Sequence, residues 1–410
     1  MPAPETREFD LLLACAGSSA TIPRGDFDWV NFLRMTEHHR VIPQVYSRLC
    51  DAAPDEIMRQ LRRRYEANVR QTLRLTRDLV RVVKDFEGRG IRVLAYKGPA
   101  LAAILDGDLA SRQYSDIDLL VHPSDVRRSR AALVALGYIP HDSFSGRQEK
   151  SYVRSGYEYA FDLADGKNAL ELKWRVVPHF YGIDFDIDGF FKRAATVKVS
   201  EHQVRSLCPE DLLLVLCVHA AKHTWAELSL LSDIARLIGS QPMDWDAVLR
   251  DAKRLGVRRI LLVNLALVHD LLGGEIPISV LTEVRRKHPA RVSQRILPML
   301  TGARQMDTES IGYFRLMLAL RERWQDRARF LCRLIFTPGA GEWEAVRLPP
   351  WLFPLYRGVR IYRLAGRLTA HFRRNRGIAV KAKGLWPAGR PRAAILDART
   401  AFREKDISVQ

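Results

Sequence analysis

The sequence predicts an α+β protein, a small mixed β-sheet flanked by N-terminal and C-terminal helical domains. Three observations carry this. Apolar residues recur near every 3.6 positions up to Gly88. From Arg92 the apolar period drops to two, the signature of strands. From Pro209 the helical period returns. The chain accordingly divides into an N-terminal helical region (1–90), an α/β core (91–200), a helical domain (201–335) and a basic segment rich in Trp, Pro and Arg (336–410) with a flexible tail.

Each element has its own signals. Phe27–Leu33 and Val41–Tyr46 carry apolar residues at helical spacing, punctuated by Pro43 and Pro54. A long helix follows from Asp55 to Glu87, with Leu61, Tyr65, Val69, Leu73, Leu79, Val83 and Phe86 on one stripe. Gly88 and Gly90 end it, because glycine adopts the backbone of a helix terminus at little cost. Arg92–Tyr96 reads as a short strand running into Lys97-Gly98, and Pro99–Leu105 as a short helix with proline at a permitted first-turn position. A second strand starts at Ile117. Ser124 is an N-cap candidate for a helix through Leu136, stopped by Gly137. Tyr157–Leu163 and Ala169–Trp174 are two further strands, joined by a turn over Ala164–Asn168. Pro209-Glu210-Asp211 is a helix start with proline and acids in the first turn, and Asp244–Leu249 opens another helix. No internal repeat is visible at solenoid periods.

The composition narrows the class. At 410 residues, 47% hydrophobic and 27% charged, the chain is that of an ordinary soluble globular protein. Its five cysteines are scattered without C-x-x-C spacing, which reads as reduced thiols in a cytoplasmic protein. Met1–Asp10 is acidic and polar, unlike a signal peptide, and the longest apolar stretch, Ile260–Leu272, is interrupted by Asn264, His269 and Asp270. The net charge of +18 is uneven: from Arg357 to Gln410 there are about 14 Lys or Arg against about 3 Asp or Glu. Such a segment attracts nucleic acid, anionic lipid or acidic partners, or is simply a solvated tail; Arg373–Gln410 is expected to be poorly packed and dispensable for folding.

The chemistry is concentrated in Ser115-Asp116-Ile117-Asp118. Side chains alternate along a strand, so Asp116, Asp118 and Leu120 share one face while Ile117, Leu119 and Val121 share the other. Two neighbouring carboxylates are costly unless a cation lies between them. Mg²⁺ is a natural partner, since it prefers one or two carboxylates plus phosphate oxygens. Transfer at a phosphate calls for charge neutralisation and in-line positioning, which two ions about 4 Å apart supply from about three carboxylates. Glu171 is the best third acid, because Leu170, Leu172 and Trp174 would turn to the core and leave Glu171 and Lys173 opposite. Asp162 is its competitor.

The layout Tyr96-Lys97-Gly98-Pro99-Ala100-Leu101, Arg112-x-x-Ser115-Asp116-Ile117-Asp118-Leu119-Leu120-Val121 and Glu171-Leu172-Lys173-Trp174 resembles an uncharacterised bacterial nucleotidyltransferase family of the DNA polymerase β-like superfamily. Pro209–Leu213, His219–His223 and Leu231–Leu237 are similar to that family's distal helices, so the resemblance spans roughly 25–270. It implies an enzyme that moves an NMP from an NTP to an acceptor (small molecule, peptide, protein or RNA) with Mg²⁺ or Mn²⁺ as cofactor. Asp116, Asp118 and Glu171 would be the metal-binding and catalytic residues. Lys97, Gly98, Arg112, Ser115 and Lys222 would hold the nucleotide, the turn at Gly98 approaching the triphosphate. Two positions depart from common forms: Lys97-Gly98 stands where many relatives have Gly-Ser, and Glu171 where relatives often carry Asp. A nucleotide-binding scaffold and a phosphotransferase are the alternatives on the same fold.

Other residues have plainer readings. Lys97 could be a surface lysine, and Arg112 a solvated loop charge instead of a phosphate or structural contact. His219 and His223 are spaced i, i+4 but lack a third ligand for zinc, which favours a packed or substrate-facing role. Asp233 reads as a helix–helix polar contact. Trp324, Trp343 and Trp351 read as packing for C-terminal helices, with base stacking as the alternative.

Overall fold

The α/β region folds as a five-stranded mixed sheet in the order β1-β2-β5-β4-β3. The strands are β1 (Val93–Ala95), β2 (Ile117–Val121), β3 (Ile139–Pro140), β4 (Glu158–Asp162) and β5 (Asn168–Lys173). The β2–β5 pair is parallel and the other three pairs are antiparallel. A computed structural model of the chain describes residues 4–17, 21–49, 52–141, 146–163, 168–287, 296–301, 310–338, 342, 346 and 348–366. The predicted Ala164–Asn168 turn lies largely outside the described residues. So do Trp343, the side chain of Trp351 and the tail Arg373–Gln410. The described residues up to Ile361 form one compact unit, and the chain divides after it.

Four helices precede the sheet: α1 (Pro4–Ala16), α2 (Trp29–His38), α3 (Ile42–Arg48) and α4 (Asp55–Gly88). Asp28 caps α2 by accepting from the Asn31 amide at 3.0 Å. At 34 residues, α4 extends about 50 Å. That length lets it serve two cores. Ile57 and Leu61 near its start join one, and Leu75, Leu79, Val82, Val83 and Phe86 join the other.

The sheet separates those cores, as strand alternation requires. Ile117, Leu119 and Val121 of β2 and Leu170, Leu172 and the adjoining Trp174 of β5 face the second half of α4 and α6 (Val126–Ala135). Leu94, Tyr96 and Leu120 face the opposite way, into a core shared with the N-terminal helices and the later helical region. The two cores therefore do not follow the boundaries drawn from sequence at 90 and 200. Phe9, Phe32 and Val45 pack in the same cluster as residues of α9 (Pro209–Lys222), α10 (Leu228–Ser240), α11 (Trp245–Leu255) and α12 (Arg258–Leu272).

Several short elements were not anticipated. These are α7 (Gly146–Ser155), α8 (Ile187–Arg193) and a hairpin of β6 (Ala195–Val199) and β7 (His202–Ser206). Trp324 is a correction: it is 74% exposed at the first turn of a helix and packs no core. The four described cysteines are free thiols, and no helix among the described residues is long and apolar enough to cross a membrane.

Candidate active site

Asp116 and Asp118 flank Ile117 at the start of β2. Their strand runs parallel to β5 in a register that sets Asp118 beside Glu171. One carboxylate oxygen from each of Asp116, Asp118 and Glu171 lies within 4.8 Å of the others. Among the described residues this is the group of acidic, histidine or cysteine side chains able to hold a metal ion. Asp162, the competitor to Glu171, lies at the far end of β4 and pairs with His141 at 2.8 Å.

Lys173 follows Glu171 on the same face and is paired with Glu158 across β4–β5. Its Nζ donates to Glu158 Oε2 at 2.9 Å and to Glu171 Oε2, and lies 3.0 Å from Asp118 Oδ1. The last contact is an ion pair between two buried side chains. These charges separate the two aspartates. Burial pushes the Asp116 carboxyl up to about 6, and the charges of Asp118 and Glu171 add to that. Burial also raises Asp118, but Lys97 and Lys173 beside it win and hold it well below the usual carboxylate range.

The Lys97-Gly98 turn runs against this strand. Gly98 has φ +55°, and a Cβ there would lie 2.9 Å from the Asp116 carbonyl oxygen. Both facts demand glycine. Lys97 Nζ is 3.7 Å from Asp118 Oδ1 and 3.2–3.3 Å from the ring nitrogens of His219 on α9. Burial drives His219 well below its ordinary pKa, with Lys97 assisting, and lowers His223 to about 3. The two rings meet edge to face at 4.4 Å. They are thus neutral packing partners at pH 7. Lys222, one turn after His219, lies over the Tyr157 ring at 5.3 Å, and burial lowers it to about 8. After α9 the chain turns through Thr224 and Trp225, both at positive φ. Trp225 is held there by its Nε1–H, which donates to Asn264 Oδ1 at 2.8 Å.

The loop before β2 is braced from three sides. Asn68 of α4 donates to the Ala110 and Arg112 carbonyls, and Gln113 accepts from the Ile42 amide. Arg112 forks onto Asp233 of α10 with bonds of 2.8–2.9 Å. This corrects one expectation, since Asp233 joins helix to loop instead of helix to helix. Arg112, engaged by this buried carboxylate, makes the structural contact that its sequence reading left open and braces the loop. Ser115 is half-buried directly before Asp116.

Glu158 and Tyr157 were missed by sequence reasoning. Strand alternation could place Glu158 on a face, but only the β4–β5 register sets it beside Lys173. The site thus gathers four carboxylates and three lysines from five separate segments of chain.

No curated protein matches the chain. Among solved structures it is similar to LnuA, a lincosamide antibiotic adenylyltransferase, at 12% identity and TM-score 0.29, over 40% of this chain and 97% of that one. It is similar to the antibiotic-resistance factor ANT(2'')-Ia at 16% identity and TM-score 0.34, over 45% and 92%. A third likeness is to an antigenic nucleotidyltransferase-like protein from Paracoccidioides brasiliensis, at 16% identity and TM-score 0.28, over 46% and 91%. A family model described as uncharacterised nucleotidyltransferase matches residues 25–273. That span is well over half of the chain and contains the acidic triad, the lysine–glycine turn and α9, so the protein belongs to this nucleotidyltransferase family.

Proposed function

We propose that the protein transfers a nucleoside monophosphate from an NTP to an acceptor hydroxyl, amine or phosphate in the cytoplasm, releasing pyrophosphate, with Mg²⁺ or Mn²⁺ as cofactor. The observation that carries this is the convergence of Asp116, Asp118 and Glu171 on one sheet face beside the Lys97-Gly98 turn. The donor set fits a hard divalent ion. It is all carboxylate oxygen, one atom from each of the three side chains lies within 4.8 Å of the others, and burial together with the charges of Asp118 and Glu171 raises Asp116. Asp116 and Asp118 would hold the ion, with Glu171 completing the acidic set. Bound there, it would neutralise developing charge at the α-phosphate and its leaving group.

The chain's own groups do the rest. Glu171 accepts the proton of the attacking acceptor. The Lys97 ammonium and the Gly98 backbone steady the triphosphate, with Ser115 and Lys222 as further contacts. Lys222 retains positive charge at neutral pH in spite of its lowered pKa, so it can still attract phosphate. Arg112 contributes by holding the loop that ends at Asp116. The acceptor oxygen or nitrogen bonds to the α-phosphorus as the bond to pyrophosphate breaks.

The test is transfer from NTP labelled separately at the α- and γ-phosphates. Label from the α-phosphate alone is expected in the acceptor. Asp116→Asn and Asp118→Asn should each lower the rate about 100-fold or more while circular dichroism stays unchanged. Transfer of γ-label would make the protein a phosphotransferase. Binding without either transfer would make it a scaffold.

A further inference from the structure

Lys173 is placed where the carboxylates would otherwise face one another. Its ammonium has three donors. Around it lie Asp118 Oδ1 at 3.0 Å, Glu158 Oε2 at 2.9 Å and Glu171 Oε2 in contact. Its side chain is only 5% exposed. The strand that carries it is paired on both sides, with β2 and with β4, so the backbone has little room to move. Tyr157 lies alongside, its ring centre 6.0 Å from Nζ. Swinging the ammonium out would strand it against aromatic surface and leave Glu158 with a buried charge. Removing one partner from a buried charge cluster is strongly unfavourable.

This arrangement has a consequence for metal binding. A site built for two ions needs the oxygens of Asp118 and Glu171 free on the side where they face each other. Here one oxygen of each is taken by Lys173. Asp116 is not in contact with Lys173, and Asp118 retains its second oxygen.

We propose that Lys173 is a built-in cation that replaces one of the two ions of a two-ion phosphate-transfer site, so that the protein takes a single divalent ion on Asp116 and Asp118. The inference rests on the metal-dependent reading of the site. In it Lys173 is a positioning residue: it holds the carboxylates of Glu171 and Asp118 together in the absence of metal. Glu158, which takes no part in the triad, anchors the far side of the ammonium.

The experiment is a Mn²⁺ titration of the full chain, followed by the electron paramagnetic resonance of free Mn²⁺, for the wild type, Lys173→Met and Lys173→Arg. Lys173→Met has similar length and no charge. The expected counts are one ion per chain for the wild type and Lys173→Arg, and two for Lys173→Met. In EDTA, Lys173→Met should melt several degrees below the wild type, and Mn²⁺ should raise its Tm by more than it raises that of the wild type. Two ions in the wild type, or one in a folded Lys173→Met, would overturn the proposal while leaving the catalytic reading in place. No Mn²⁺ on any of the three would remove both. Where Lys173→Met gives no cooperative melt, the wild-type count decides by itself.

Discussion

Asp116 and Asp118 are one residue apart on the same strand face, yet their environments drive them in opposite directions. Burial and like charge raise Asp116, whereas Lys97 and Lys173 overcome burial at Asp118. The sign of the linkage follows. A carboxyl whose folded pKa is raised to about 6 from 3.8 favours the fold below about pH 4, and that contribution is lost as pH rises through 6. Asp118 acts the other way, favouring the fold above its unfolded pKa and losing that as pH falls. Asp116→Asn keeps the volume and removes the repulsion. In EDTA it should therefore melt above the wild type at pH 7–8, with the gap closing toward pH 4. A gap that stays constant over that range in a melting series would refute the raised pKa.

At the level of elements, the site depends on a brace that takes no part in the chemistry. The loop between α5 (Gly98–Leu105) and β2 must deliver Asp116 to within reach of Glu171, and Arg112–Asp233 ties that loop to α10. Asp233→Asn leaves a guanidinium buried with only a neutral partner. It should cost about 3–5 kcal/mol in urea unfolding and lower kcat as the aspartates lose their register with β5. The double variant Arg112→Met/Asp233→Leu, with no charge to strand, should recover most of the stability. A double variant as unstable as Asp233→Asn would show that loop packing, not the ion pair, is what matters.

On the scale of the whole molecule, the sheet is a partition between two cores, with the acidic face turned toward the helical side. Helix α9 closes over that face, so Lys97 of the sheet region and His219 of the helical region meet across it. A nucleotide bound at this seam would touch both parts and stabilise the unit as a whole. A metal–NTP complex at 100 times its Kd should add about 2.7 kcal/mol to unfolding. Differential scanning fluorimetry with each of the four NTPs plus Mg²⁺ would measure it. Asp116→Asn, lacking one metal-binding carboxylate, should lose most of the shift. Equal protection of the wild type and this variant would place the nucleotide elsewhere.

The sequence by itself determined the α+β class, the strand beginning at Ile117, the long helix from Asp55 and the sorting of Asp116 and Asp118 from Ile117 and Leu119. These depend on periodicity and on local backbone preferences, which are properties of adjacent residues. Leu170 and Leu172 likewise marked Glu171 as the residue facing the aspartates. Only the tertiary structure decided that Glu158 closes around Lys173, that Arg112 is taken by Asp233, and that the first three helices share a core with α9–α12. Those facts rest on strand register and on pairs more than a hundred residues apart, or on which apolar faces meet. A charge carries no local mark of its partner: Arg112 reads the same from the sequence whether a phosphate or a buried aspartate awaits it. The fold chose the aspartate because a buried guanidinium needs a counter-charge at fixed geometry, and α10 supplies one.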